Sequence, residues 1–169
     1  INQLASSAVS KNVEEILVSM RKIYFDISFN ASSESLYAES IDDYYSDAEI
    51  IRFADQMYNY GRYKNNVDMF YLYVPKTDAV ISDKGIVDSK TFFRTYIVEP
   101  QSYEEWISSL TSSDTQNYSK VRLRDDRGIY DAVSSYMPLI DSRRPPEADN
   151  AIIVAATNCE RFSAEIGRA

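Results

Sequence analysis

The chain has 169 residues, 44% of them hydrophobic and 26% charged, with a formal net charge of −8 and no histidine. That length suits one domain with a proper core, and the balance of apolar and charged residues excludes wholesale disorder. The acidic surface argues against nucleic-acid binding, which needs a basic footprint to displace counterions from phosphate.

From Leu4 to Ile27 the apolar residues Val9, Val13, Ile16, Leu17, Met20, Ile23, Tyr24 and Ile27 recur at steps of three and four. This spacing predicts a long helix over residues 1–29, roughly 35–40 Å in length, that overshoots a compact domain and reads as a stalk or connector. Residues 30–45 are polar and read as a loop with a short turn of helix. Ser46 and Glu49 then match a capping box, and Ile50, Ile51, Ala54, Met57 and Tyr58 continue at helical spacing to Gly61, which predicts a second helix over 47–60.

The stretch Val67 to Val74 carries large apolar or aromatic groups on both faces: Phe70, Leu72 and Val74 on one, Met69, Tyr71 and Tyr73 on the other. A strand covered on both faces belongs inside a sheet held between two layers. Pro75-Lys76-Thr77-Asp78 makes a turn, and Ala79 to Ser82 returns as a second strand. Ser89 to Ile97 and Ser102 to Leu110 read as short helices, the second opening on Ser102 and Glu105 as another capping box. Residues 111–128 are polar and show no clear period. Ile129 to Ile140 reads as a strand ending at Pro138, Ser142 to Asp149 as a long turn, and Ala151 to Thr157 as a continuous apolar strand. Strands joined by turns imply an antiparallel sheet, and the order of elements predicts an α+β domain of PAS-like kind.

The hairpin FYLYVPKTDAVISDKG, followed by TFFRTYI and later by YMPLI and NAIIVAATN, resembles the extracellular Cache sensor domains of bacterial transmembrane receptors. It looks most like those attached to AraC-type regulators and sensor histidine kinases of Gram-positive bacteria. The resemblance covers nearly the whole chain as a pattern of elements. It implies a single sensor domain over 1–169, with a PAS-like (Cache) sheet and pocket helices over 67–158 packed on the long N-terminal helix, and short helices on the other face closing a small-molecule pocket. It also implies a location on the outer face of the cell membrane, anchored by flanking segments. Consistent with that, the chain starts on Ile1 rather than Met, and both ends read as cuts through a longer protein.

The pocket is expected from Tyr71, Tyr73, Ser82, Phe93, Tyr96, Tyr130, Ser134 and Tyr136, because aromatic walls with a few hydroxyls are how small-ligand sites are built. Each tyrosine is equally well placed as a core residue with a satisfied hydroxyl. Arg94 and Arg122 are candidates to hold a ligand carboxylate, although VRLRD also reads as a solvated strand or loop. Trp106 is expected to anchor its helix to the core. The acidic run from Glu34 to Asp47 and the pair Asp125-Asp126 lack EF-hand spacing and read as solvated surface. Cys159 is the only cysteine and reads as a small residue packed at a strand end. Asn30-Ala31-Ser32 and Asn117-Tyr118-Ser119 are formal glycosylation sequons.

No run of 18 apolar residues is present, and no signal-peptide pattern. Nor is there a P-loop, dinucleotide fingerprint, nucleophile elbow or zinc-ligand spacing. The expected function is a small-molecule sensor, not an enzyme, with no cofactor. The long helix is a candidate for homodimerisation. The competing readings are a ligand-free dimerisation module of the same receptor and an enzyme working through carboxylates alone.

Overall fold

The computed structural model describes residues 14–16, 18–19, 21–25, 33–62, 67–111, 117–139 and 149–161. Its scaffold is a seven-stranded sheet, antiparallel throughout and curled into a half-barrel. The strands are β1 Met69–Val74, β2 Ala79–Ser82, β3 Gly85–Asp88, β4 Ile97–Glu99, β5 Asn117–Asp125, β6 Gly128–Pro138 and β7 Ile152–Asn158. They lie in the order β3-β2-β1-β7-β6-β5-β4, so β7 returns to pair with β1 near the centre. After the helical residues 14–16, 18–19 and 21–25, the described helices are α1 Ser33–Leu36, α2 Ala48–Arg62, α3 Ser89–Tyr96 and α4 Tyr103–Thr111, with a 3-10 helix at Ile41–Ser46.

Alternation along β1 decides the layering. Phe70, Leu72 and Val74 join Ala79, Ile81, Ile153 and Ala155 in one core, which α2 closes with Ile50, Phe53 and Met57. Ile16 and Ile23 are buried in that same core. Met69, Tyr71 and Tyr73 point the other way, with Val80, Ile152, Val154 and Tyr136, and are covered by Phe92 of α3 and Trp106 and Leu110 of α4. Every residue of β1 and β2 is therefore buried, as a central hairpin between two apolar layers requires.

The expected fold is overturned. The described residues show a seven-stranded curled sheet with short helices, not a long N-terminal helix packed along a PAS-like Cache sheet. The described residues 14–16, 18–19 and 21–25 are helical, and the rest of the expected 1–29 helix lies outside the described residues. The physical reason lies in three segments that carry little apolar weight. Gly85–Asp88, Ile97–Glu99 and Asn117–Asp125 each pair as strands, which extends both edges of the sheet beyond the hairpin and the two late strands.

The cap of α2 differs from the expected box. Asp47, not Ser46, accepts from the Glu49 and Ile50 amides, through Oδ1 at 2.9 and 3.3 Å. Ser46 Oγ turns back to the Asp43 carbonyl, and Glu49 accepts from Ser35 Oγ. The sequon at Asn30 and most of the turn from Ser142 lie outside the described residues.

Candidate functional site

Strand register sets the tyrosine-bearing face. Tyr71 stands opposite Ser82 on β2 and Val154 on β7, and Val154 stands opposite Tyr136 on β6. Directly paired residues share a face, so Ser82, Tyr71, Val154 and Tyr136 form one row across the sheet. A second row runs from Met69 through Ala156 to Ser134. Tyr130 lies opposite Leu123, which also belongs to this face. Phe93 and Tyr96 reach it from α3.

The centre of this face is packed with rings. Tyr71 and Phe92 have centroids 4.6 Å apart, and Phe92 stacks on Trp106 at 6.0 Å and 20°. Phe93 lies 5.6 Å from Trp106 and 5.8 Å from Tyr103. Trp106 Nε1 donates to Tyr71 Oη at 3.4 Å. Trp106, Phe92 and Tyr71 are no more than 2% exposed, so this part of the expected pocket is filled by the protein itself.

At one end of the face, the β1–β2 turn forms a polar node. Asp78 has a positive φ of 54°, a left-handed conformation that Asp tolerates better than most residues. Its carboxylate accepts from Ser89 Oγ at 2.7 Å and from Tyr73 Oη and Tyr103 Oη, each at 3.1 Å. Ser89 Oγ and Tyr103 Oη are themselves 2.6 Å apart. One turn residue thus ties β1, α3 and α4 together. Burial, reinforced by the Asp78 charge, pushes the Tyr73 phenol well above its ordinary value. Tyr71 is pushed up by burial too. Such phenols stay neutral, which suits them to hydrogen bonding rather than to proton transfer near neutral pH.

At the opposite end of β1 lies an open pocket of about 230 Å³, lined by Asp68, Met69, Asp83, Lys84, Asp125, Asp126 and Arg127. The Asp68 side chain is 2% exposed. It accepts from the Asn158 amide at 2.7 Å, from Arg161 Nε and Nη2 at 3.0 and 2.9 Å, and from Arg127 Nη2 at 3.3 Å. Burial opposes its charge, but these donors outweigh burial and hold the carboxyl below its ordinary range. Arg127 also grips Asp125, Nη2 to Oδ2 at 2.8 Å, and lies over the Tyr130 ring at 5.8 Å. Tyr130 Oη is buried without a hydrogen-bond partner among the described residues.

The structure therefore brings Tyr71, Tyr73, Ser82, Phe93, Tyr96, Tyr130, Ser134 and Tyr136 to one face, and leaves two expected residues elsewhere. Arg94 is exposed on α3 and, among the described residues, bonds within its own helix, to Thr91 Oγ1 at 3.4 Å. Arg122 is on the opposite face of the sheet, paired with Asp131 at 2.9 Å and Glu99 at 3.4 Å. Ser82 spends its Oγ on the Lys84 amide, inside the β2–β3 turn. The polar node at Asp78 and the ionic pocket around Asp68 carry no mark in the sequence. Their members come from distant segments, and only the sheet register unites them.

No cluster of three or more acidic or cysteine side chains among the described residues is able to hold a metal ion. No described helix is long and apolar enough to cross a membrane. No protein-family model matches the chain, and no curated protein matches it by sequence.

Proposed function

We propose that this chain is the extracellular small-molecule-binding sensor domain of a bacterial transmembrane receptor, a reading that starts from the sequence resemblance and not from the fold, which departs from the expected Cache sheet. The observation that carries the reading is the tyrosine-bearing face. Its aromatic centre is covered by α3 and α4, and each end of β1 carries polar groups, one around Asp78 and one around Asp68. A ligand engaging either end would act directly on groups that fix the cover or the chain after β7. Signalling needs only that the ligand bind two arrangements of these parts with different affinity.

Partnering through the N-terminal segment belongs to the same proposal. Val18 and Phe25, seven residues apart, are 62% and 66% exposed, while Ile16 and Ile23 face the core. An apolar pair left outside at that spacing is what a second helix would cover.

One observation favours the ligand-free structural module: Tyr71, Phe92 and Trp106 fill the space where a central ligand would sit. A thermal-shift screen separates the two readings. Amino acids, organic acids, sugars, amines and nucleobases are each tested against the purified domain. A ligand at 100 times its dissociation constant stabilises by about 2.7 kcal/mol, which for a domain of this size is roughly 5–10 °C. A hit lost in a folded Tyr73→Ala variant supports sensing. Silence across the library favours the structural module.

A further inference from the structure

The β2–β3 turn reads Ser82-Asp83-Lys84-Gly85, and the β5–β6 turn reads Asp125-Asp126-Arg127-Gly128. Each sets a carboxylate beside a cation and ends on a glycine at positive φ, 110° for Gly85 and 119° for Gly128. The two turns come from opposite flanks of the sheet, with the start of β1 between them, and together with Asp68 and Met69 they line the pocket. Two lips of the same chemistry thus face one another over a buried carboxylate.

The charges in this pocket divide into those already engaged and those left over. Asp68 is saturated by Arg161, Arg127 and the Asn158 amide, and Asp125 by the Arg127 side chain and amide. Asp83, Asp126 and Lys84 make no ion pair among the described residues. Lys84 Nζ lies 5.3 Å from the centroid of the Tyr96 ring, and its charge also acts on Asp125. The groups left without an ion pair among the described residues are therefore two carboxylates and one ammonium.

We infer that the two opposed turns form a binding site for a small zwitterion, a molecule that carries one ammonium-type and one carboxylate- or sulfonate-type charge. A simple anion would meet Lys84 but also four aspartates. A simple cation would meet Asp83 and Asp126 but also Lys84 and Arg127. Only a molecule with both charges finds a partner for each and leaves no uncompensated charge in a half-enclosed space. The pocket's 230 Å³ falls below the ~300–1,000 Å³ of sites for drug-sized ligands, which restricts the occupant to a small molecule. This inference deepens the sensor reading and rests on it only in treating the pocket as a place where a ligand binds.

Isothermal titration of the whole chain tests it, with glycine, β-alanine, taurine and glycine betaine as zwitterions and acetate and methylammonium as singly charged controls. The expected result is saturable binding of at least one zwitterion, with both controls weaker by about tenfold or more, the equivalent of 1.4 kcal/mol. Lys84→Ala and Asp126→Asn, both at exposed turn positions, should each weaken that zwitterion by about tenfold, while Arg94→Ala leaves it unchanged. Circular dichroism confirms that each variant is folded. Controls that bind as well as the zwitterion, affinities indifferent to Lys84 and Asp126, or no zwitterion binding at millimolar concentration would overturn the site. The sensor reading fails separately. If a zwitterion binds while no ligand alters the output of the intact receptor, the site stands and sensing falls. If only another ligand class binds, and depends on Tyr73, sensing stands and this site falls.

Discussion

Asp68 and Arg161 stand 93 residues apart in the chain and meet in a two-pronged ion pair, Nε to Oδ2 at 3.0 Å and Nη2 to Oδ1 at 2.9 Å. The pair joins the start of β1 to the segment that leaves β7. The same carboxylate takes Arg127 from the rim of the pocket, so one buried group touches both the pocket and the chain beyond the sheet.

Asp68→Asn keeps the shape of this junction and removes its charge. An amide cannot accept from two guanidinium groups and the Asn158 N–H together without facing one of them with its own NH₂. Removing one partner of a buried pair costs about 3–5 kcal/mol, and the partial exposure of Arg161 and Arg127 reduces this to about 1–3 kcal/mol here. Urea unfolding checks the figure. Arg161→Ala should cost less than Asp68→Asn, because Arg127 and the Asn158 amide still satisfy the carboxylate.

The same groups set the response to pH. Asp68 and Asp125 have folded pKa values below the ordinary 3.8, since their arginine partners outweigh burial. Their contribution is therefore fully present above pH 3.8 and is lost as pH falls through the lower folded values. Tyr44, Tyr71, Tyr73 and Tyr130 are shifted the other way by burial, Tyr44 to about 12. Their contribution is present below the ordinary 10.0 and is lost as pH rises through the folded values. Midpoints of thermal unfolding should hold level from pH 5 to 9 for these groups and fall on both sides, and Asp68→Asn should flatten the acid limb.

Trp106 joins α4 to the sheet through the rings of Tyr71 and Tyr73, with one hydrogen bond to Tyr71, and to α3 through Phe92 and Phe93. Trp106→Ala should lower stability by about 3–5 kcal/mol, as truncation of a buried large aromatic does. Trp106→Phe keeps most of the stack and loses the indole bond, for about 1–2 kcal/mol. A ligand that enters the aromatic centre would stabilise Trp106→Ala more than the parent, because the deletion opens space there. Equal thermal shifts in the two proteins place the ligand elsewhere.

What could be read in the sequence followed from local signals. Alternating large residues from Met69 to Val74, with Pro75-Lys76-Thr77-Asp78 beside them, specify the hairpin without help from the rest of the chain. Helical spacing of Ile50, Ile51, Ala54 and Met57 marks α2, although its buried face carries Phe53 while Ile51 is 44% exposed, and Asp47 caps it in place of the expected Ser46. In α4 the expected box is half made: Glu105 N donates to Ser102 Oγ at 3.3 Å, while that hydroxyl bonds Glu104.

The missed strands show why the fold was misread. From Tyr118 to Asp125 only Val121 and Leu123 are buried, alternating with Arg122 and Arg124 on the solvent side, so the hydropathy of this strand looks like that of a loop. Gly85–Asp88 and Ile97–Glu99 are too short to show any period. The six strand residues Tyr71, Tyr73, Ser82, Tyr130, Ser134 and Tyr136 share a face because period two survives in sequence, whereas Phe93 and Tyr96 reach it from a helix. Which residues lie at the ends of that face was not, because Lys84 and Arg127 become neighbours only through the pairing of five strands.

Asp78 provides the last test, because it combines an unusual backbone with a crowded carboxylate. Asp78→Gly relieves the left-handed φ of 54° but removes the acceptor for Tyr73, Ser89 and Tyr103. Asp78→Asn tolerates the same φ and keeps one acceptor oxygen for the three hydroxyls. If the backbone conformation dominated, Gly would be the milder change. The donors argue otherwise: Tyr73 is 4% exposed and finds no water when the carboxylate is gone, while Ser89, fully buried, still has Tyr103 Oη 2.6 Å away. A stranded buried hydroxyl costs about 1–3 kcal/mol, against roughly 1 kcal/mol gained from the strain. Asp78→Gly should therefore be the more damaging, by about 1–2 kcal/mol. It should also raise amide hydrogen exchange in α3 and α4 while leaving α2, on the other side of the sheet, protected. Equal exchange in all three helices would show that Asp78 shapes only its own turn.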